Sequence, residues 1–105
     1  MTLQESLAEA TARWCREDGT TPEDINGGNC EAFADEVASR VPGAVAVWDW
    51  EADEDAGYPP LEVRADWCHC FIRYNGMYYD SECHAGVADW IDLPFFKEWD
   101  FVPAQ

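Results

Sequence analysis

The sequence predicts an α+β domain in which helices come first and a small antiparallel sheet follows. Three observations carry this. Apolar residues recur at helical spacing through the N-terminal third. Ala44 to Trp50 reads Ala-Val-Ala-Val-Trp-Asp-Trp, an apolar run of strand type. Asn75-Gly76 stands between two strand-like stretches, the strongest short hairpin signal. The chain has 105 residues, 48% of them hydrophobic, so residues 1–105 are read as one domain with a real core.

The first helix should open at Thr2-Leu3-Gln4-Glu5, a capping box with Thr at the N-cap and Glu at N3. Leu3, Leu7, Ala10, Trp14 and Cys15 form its stripe, and Gly19 closes it, so it runs roughly from Leu3 to Glu17. Thr20 to Asn29 is polar, contains Pro22, Gly27 and Gly28, and reads as a loop. A second helix begins near Asn29 or Cys30, carries Ala32, Phe33, Val37 and Val41, and ends at Pro42-Gly43.

Ala44 to Trp50 then forms a mostly buried strand. Glu51 to about Arg64 is acidic, holds Pro59-Pro60 and reads as a surface loop, long enough to suggest a functional rim. Trp67 to Tyr74 and Met77 to Glu82 are the two arms of the hairpin. The tail, with Trp90, Ile91, Leu93, Phe95, Phe96, Trp99, Phe101 and Val102, is too aromatic to stay in water and should pack back onto the sheet.

The formal net charge is -16, from 22 Asp+Glu against 6 Lys+Arg. This opposes binding to nucleic acid through phosphates and to an anionic membrane surface. No stretch approaches the ~20 apolar residues of a membrane span. The N-terminus lacks the basic-then-apolar pattern of a secretory signal, so a reducing cytoplasm and free thiols are expected for the five cysteines. Oligomeric state leaves no trace in the sequence.

The chemistry concentrates in three segments. Cys30, preceded by Gly27-Gly28-Asn29, opens a helix. Unpaired N–H groups and the partial positive charge there favour thiolate over thiol. Those N–H groups, of Cys30 and of Asn29, can also hold an oxyanion. Counting outward from the Asn75-Gly76 turn, Tyr74 pairs with Met77, Phe71 with Asp80 and His69 with Glu82. His69, Phe71, Asp80 and Glu82 then share one face. His69 and Asp80 are diagonal neighbours, so the carboxylate can orient the imidazole while the other ring nitrogen faces Cys30. Glu82 is the rival orienting carboxylate.

Gly-Asn-Cys30-Glu-Ala-Phe-Ala resembles the Gly-x-Cys-x-x-Phe-Ala element of the papain-like superfamily of cysteine peptidases. His69-Cys-Phe-Ile-Arg-Tyr-Asn-Gly-Met-Tyr-Tyr-Asp80 resembles that superfamily's His-hairpin-Asp element. The likeness is to its compact branches: transglutaminase-like proteins, bacterial cell-wall endopeptidases and small phage-encoded versions. It covers roughly Gly27 to Glu82. It implies a papain-like core and acyl chemistry on an amide or peptide bond without a cofactor. Cys30 would be nucleophile, His69 general base and then acid, and Asp80 the orienting group. No polar side chain matches the superfamily's oxyanion-hole glutamine. An acidic rim at Glu51–Asp55 would favour a basic or amine-bearing substrate.

Bland alternatives stand beside this reading. Cys30 can be a buried thiol, His69 a core histidine and Asp80 a hairpin cap. Cys68, Cys70 and Cys83, on one face by the hairpin count and opposite to His69, are read first as small core hydrophobes. With His84 they make a zinc alternative, and Cys68 with Cys83 a disulfide alternative. The rival function is a non-enzymatic acidic binding protein that keeps the fold with an idle triad.

Overall fold

The computed structural model describes residues 2–49, 51 and 69–98. The fold is α+β: the elements set out among the described residues are three helices, a four-stranded antiparallel sheet, then two short helical segments. Helix α1 spans Leu3–Asp18. Its capping box forms: Glu5 N–H donates to Thr2 Oγ1 at 3.1 Å, and Thr2 N–H donates to Glu5 Oε1 at 2.8 Å. Gly19 ends it in the left-handed region at φ 64°, which lets the chain reverse without a Cβ clash. Leu3, Leu7 and Ala10 are buried, while Trp14 and Cys15 are partly buried against the same cluster.

The stretch expected to be a loop is a helix instead. Helix α2 spans Pro22–Gly28. A second capping box joins Thr21 to Asp24, and Pro22 sits at the first helical position, where its missing N–H costs nothing. These start signals, with burial of Ile25 and Asn26, outweigh two glycines that fall only at the end. Asn29 breaks the helix at φ -119°, ψ 19°, and α3 restarts as Cys30–Ser39. Phe33, Ala34 and Val37 bury its inner face.

The strands are β1 (Val45–Trp48), β2 (Cys70–Tyr74), β3 (Met77–Asp80) and β4 (Cys83–Val87), adjacent in that order and all antiparallel. Asn75 (φ 51°) and Gly76 (φ 78°) make the two-residue turn, both in the positive-φ region that a type I′ turn requires. Tyr74 pairs with Met77 and Ile72 with Tyr79, the expected register. β3, however, ends at Asp80 and not at Glu82. The chain turns through Ser81-Glu82 into β4, a strand absent from the sequence reading. Ser81-Glu82 carries no glycine or asparagine to announce a turn, and Cys-His-Ala-Gly-Val does not alternate.

The sheet has two covered faces. Toward the helices lie Ala46, Trp48, Cys70, Ile72 and Tyr79, packed with Leu7, Ile25, Phe33 and Val37. On the other face Val47 and Phe71 meet Trp90 and Leu93 around a 3₁₀ turn (Trp90–Asp92), and Phe96 from α4 (Pro94–Glu98). The tail does pack back, as its composition demands; each such buried side chain contributes about 1.5–3 kcal/mol. Trp99, Phe101 and Val102 lie outside the described residues, as do Trp50, Trp67, Cys68 and most of the acidic loop. Arg13 and Arg40 both pair with Glu9 and Glu36, tying α1 to α3. No described helix is long and apolar enough to cross a membrane.

Gly86 sits at φ 84°, and a Cβ there would collide with the ring of the buried Tyr79. Gly86→Ala should therefore destabilise the protein by about 2 kcal/mol through strain and overpacking. Urea denaturation checks it: an unchanged midpoint would mean that β4 is not held this way.

Candidate active site

Cys30 opens α3. The helix's first backbone bond runs from Phe33 N–H to Asn29 C=O at 3.0 Å, which leaves the amides of Cys30, Glu31 and Ala32 outside its own ladder. The Asn29 amide is committed to Ile25 C=O at 2.9 Å, so it is not the oxyanion donor that the sequence offered. The Asn29 side chain is exposed and makes no capping bond.

His69 lies one residue ahead of β2 and is fully buried. Its Nε2–H donates to Asp80 Oδ2 at 2.9 Å, because a carboxylate can only accept. The other oxygen, Asp80 Oδ1, accepts the Glu82 N–H at 2.9 Å. The diagonal pairing expected from the hairpin count is therefore present, and Asp80 is held at both oxygens. Glu82 is not the rival. The turn carries its carboxylate off the His69 face, and Oε1 accepts from Asn26 Nδ2 at 2.9 Å. What Glu82 supplies is its backbone.

Alternation puts His69 on the tail face of the sheet, whereas Cys30 packs in the cluster on the helix face. They meet because the sulfur sits at the end of the sheet. His69 C=O accepts the Asp49 N–H on the β1 side, so the next amide, Cys70 N–H, points toward β3. β3 has turned away at Asp80, and that N–H donates to Cys30 Sγ at 3.4 Å. The thiol takes the place of a missing strand partner, where neither face is shut off from it.

The titration of each group reports the other. Burial raises the Cys30 thiol, but hydrogen bonding to His69 and to the Cys70 N–H, the His69 charge and the Glu31 N–H bring it below its ordinary value. Burial lowers His69, while hydrogen bonds to Asp80 and Cys30 and their charges lift it above its ordinary value. Nε2 is spent on Asp80, and Nδ1 is buried with no partner of hydrogen-bond geometry. Nδ1 is therefore the nitrogen left for the thiol. The two shifts run toward each other, the direction that favours a thiolate–imidazolium pair.

Two supporting groups escaped the sequence reading. Phe95 stacks on the imidazole with centroids 4.4 Å apart, and Phe71 and Phe96 close the box at 5.7 Å each. The aromatic tail was the available signal, but nothing in it named His69 as the target. Asn26, buried in α2, accepts from Ser81 Oγ at 2.9 Å and donates to Glu82, pinning the turn that carries Asp80. Its polarity within an assumed loop concealed it.

The three-cysteine face does not form among the described residues. Cys70 packs on the helix face and Cys83 on the tail face, because Cys83 belongs to β4 and not to an extension of β3. His84 Nε2 bonds Thr11 Oγ1 at 3.1 Å. Among the described residues no group of three or more His, Cys, Asp or Glu could hold a metal. Cys68, and with it the disulfide alternative, lies outside them. No family model, curated protein or solved structure matches the chain.

Asp80→Asn keeps the shape at Nε2 but removes the charge. It should lower the His69 pKa, because the carboxylate that favours the charged ring is gone. Glu82→Gln should leave it in place. Titration of the imidazole by NMR separates them, and equal shifts in both variants would contradict the assignment.

Proposed function

We propose that the protein is a thiol-dependent hydrolase or acyltransferase acting on amide or peptide bonds, with a papain-like Cys30–His69–Asp80 site. The observation that carries this is the convergence on one sulfur of an imidazole, a helix start and a strand amide, with the imidazole fixed by a buried carboxylate. Acyl transfer needs each of these parts.

Cys30 Sγ attacks the carbonyl carbon of the amide, and the Cys30 N–H, free of the α3 ladder, faces the developing oxyanion. His69, charged by the thiol proton, gives that proton to the departing amine from Nδ1. Asp80 keeps Nε2 protonated and the ring in plane. A water or an amine then takes the acyl group, with neutral His69 receiving its proton. The aromatic box of Phe71, Phe95 and Phe96 keeps water from the His69–Asp80 bond.

A basic or amine-bearing substrate fits the charge. Beyond Asp80, an open cavity of about 420 Å³ is lined by Thr21, Pro22, Glu23, Ser81 and Glu82, so carboxylates of α2 and of the turn flank it. Of the acidic segment Glu51–Asp55, Glu51 is described, and its carboxylate accepts the Trp48 N–H at 3.1 Å. Residues 52–55 lie outside the described residues. A preference for acidic peptides in a substrate panel would end the charge argument. The rival reading, a binding protein with an idle triad, draws on the burial of Cys30, which is only 9% exposed.

Iodoacetamide labelling against pH tests the site without knowledge of the substrate. Alkylation needs thiolate, so Cys30 should gain reactivity at lower pH than an ordinary thiol of pKa about 8.5. In His69→Ala the main lowering partner is gone while burial remains, so the midpoint should rise. An unchanged midpoint in His69→Ala would mean that thiol and imidazole do not exchange a proton.

A further inference from the structure

The Cys30 sulfur touches a second reactive partner. The Cys70 amide nitrogen lies 3.4 Å away, with its N–H directed at the sulfur. The peptide it belongs to is polarised from the far side, where His69 C=O accepts the Asp49 N–H at 3.0 Å. Drawing charge onto that oxygen makes the attached N–H more acidic. The same residue, His69, carries the buried, unpartnered Nδ1 that acts on the thiol. The Cys70 thiol competes poorly: it is buried and pushed up to about 12, so it stays protonated at neutral pH, and only a thiolate attacks well.

We propose that Cys30 is a reversible oxidation site: a hydroperoxide converts it to the sulfenic acid, and the Cys70 backbone nitrogen then closes on the sulfur as a sulfenamide. In the first step the thiolate attacks one peroxide oxygen and the O–O bond breaks. The sulfur is oxidised by two electrons, the peroxide is reduced, and the released hydroxide or alkoxide takes the His69 proton. In the second step the S–N bond forms as the S–O bond breaks. The amide proton passes through His69 Nδ1 to the departing hydroxyl, which leaves as water. Two equivalents of an external thiol reverse the link, restoring Cys30 and the amide and leaving a disulfide of the reductant. The closed form protects the sulfur from the irreversible sulfinic and sulfonic states and blocks any acyl chemistry there. It needs only a reactive sulfur beside this amide, and so stands whether or not Cys30 attacks carbonyls.

The test treats the full chain with dilute hydrogen peroxide at neutral pH, unfolds it in N-ethylmaleimide, digests it with trypsin and weighs the peptides. The expected product joins the peptide of Cys30 to the peptide of Cys68 and Cys70. It is lighter than their sum by two hydrogens before labelling, carries the maleimide on both Cys68 and Cys70, and separates in dithiothreitol. A joined pair carrying one label would be a disulfide and would overturn the proposal. So would a Cys30 that gains two or three oxygens without a link, or one that stays unmodified. In Cys70→Ala the link should persist, but the label count in the native sequence decides without the variant. Selective iodoacetamide labelling without the link would remove this proposal alone; the link without His69-dependent labelling would remove the acyl-transfer reading alone.

Discussion

The arrangement depends on burying an imidazole and a carboxylate together. His69 is wholly inside the protein and Asp80 nearly so. Burying either alone would cost several kcal/mol, because a desolvated ionisable group without a partner finds no substitute for water. The structure supplies partners on every side that matters. Asp80 uses one oxygen for His69 Nε2 and the other for the Glu82 N–H. The Glu82 amide is available because the chain turns sharply there. The turn is held in turn by Ser81 Oγ, which meets Pro22 C=O and Asn26 Oδ1 at 2.6 and 2.9 Å. Helix α2 thus fixes the turn that carries the carboxylate.

That chain of dependence also explains how a thiol on one side of the sheet meets an imidazole on the other. Strand alternation alone would keep them apart. Early termination of β3 leaves the Cys70 amide without a strand acceptor, and Cys30 Sγ takes the place. Had β3 run on to Glu82, a carbonyl would have competed for that amide and excluded the sulfur. The turn at Ser81-Glu82 accordingly does two things: it satisfies Asp80, and it opens the sheet end to α3.

Much of this was legible in the sequence, and the failures have physical causes. The α+β class, the caps of α1, the Asn75-Gly76 register and the Phe71–Asp80 face rest on local signals that tertiary packing did not override. Helix α2 is concealed by polar residues, Pro22 and two glycines that read as a loop, whereas the Thr21–Asp24 box starts a helix there. Strand β4 was missed because its turn uses two ordinary residues and its own sequence lacks a period of two. Within the site, Cys30, His69 and Asp80 were each marked by a local pattern. Asn26, Phe95 and the backbone roles of Glu82 and Cys70 were not, because they depend on contacts between segments far apart in the chain. The misplacement of Cys83 with Cys70 follows from the missed turn, since one unrecognised reversal moves a residue to the other face.

The charge of the chain sharpens the electrostatic argument. In a protein with net charge -16, the overall field opposes a second anion beside Asp80. Among the described residues it is His69 and the amides of Cys70 and Glu31 that lower the Cys30 thiol. Arg13 and Arg40, two cations of the helical layer, are engaged by Glu9 and Glu36. Exposed acids are screened over about 8 Å at physiological salt, whereas groups in direct buried contact are screened far less. The lowering of the Cys30 thiol therefore comes from short-range partners set by backbone geometry, against a long-range field of the wrong sign. A site so built is sensitive to the position of one amide and one ring, and nearly indifferent to which acids decorate the surface.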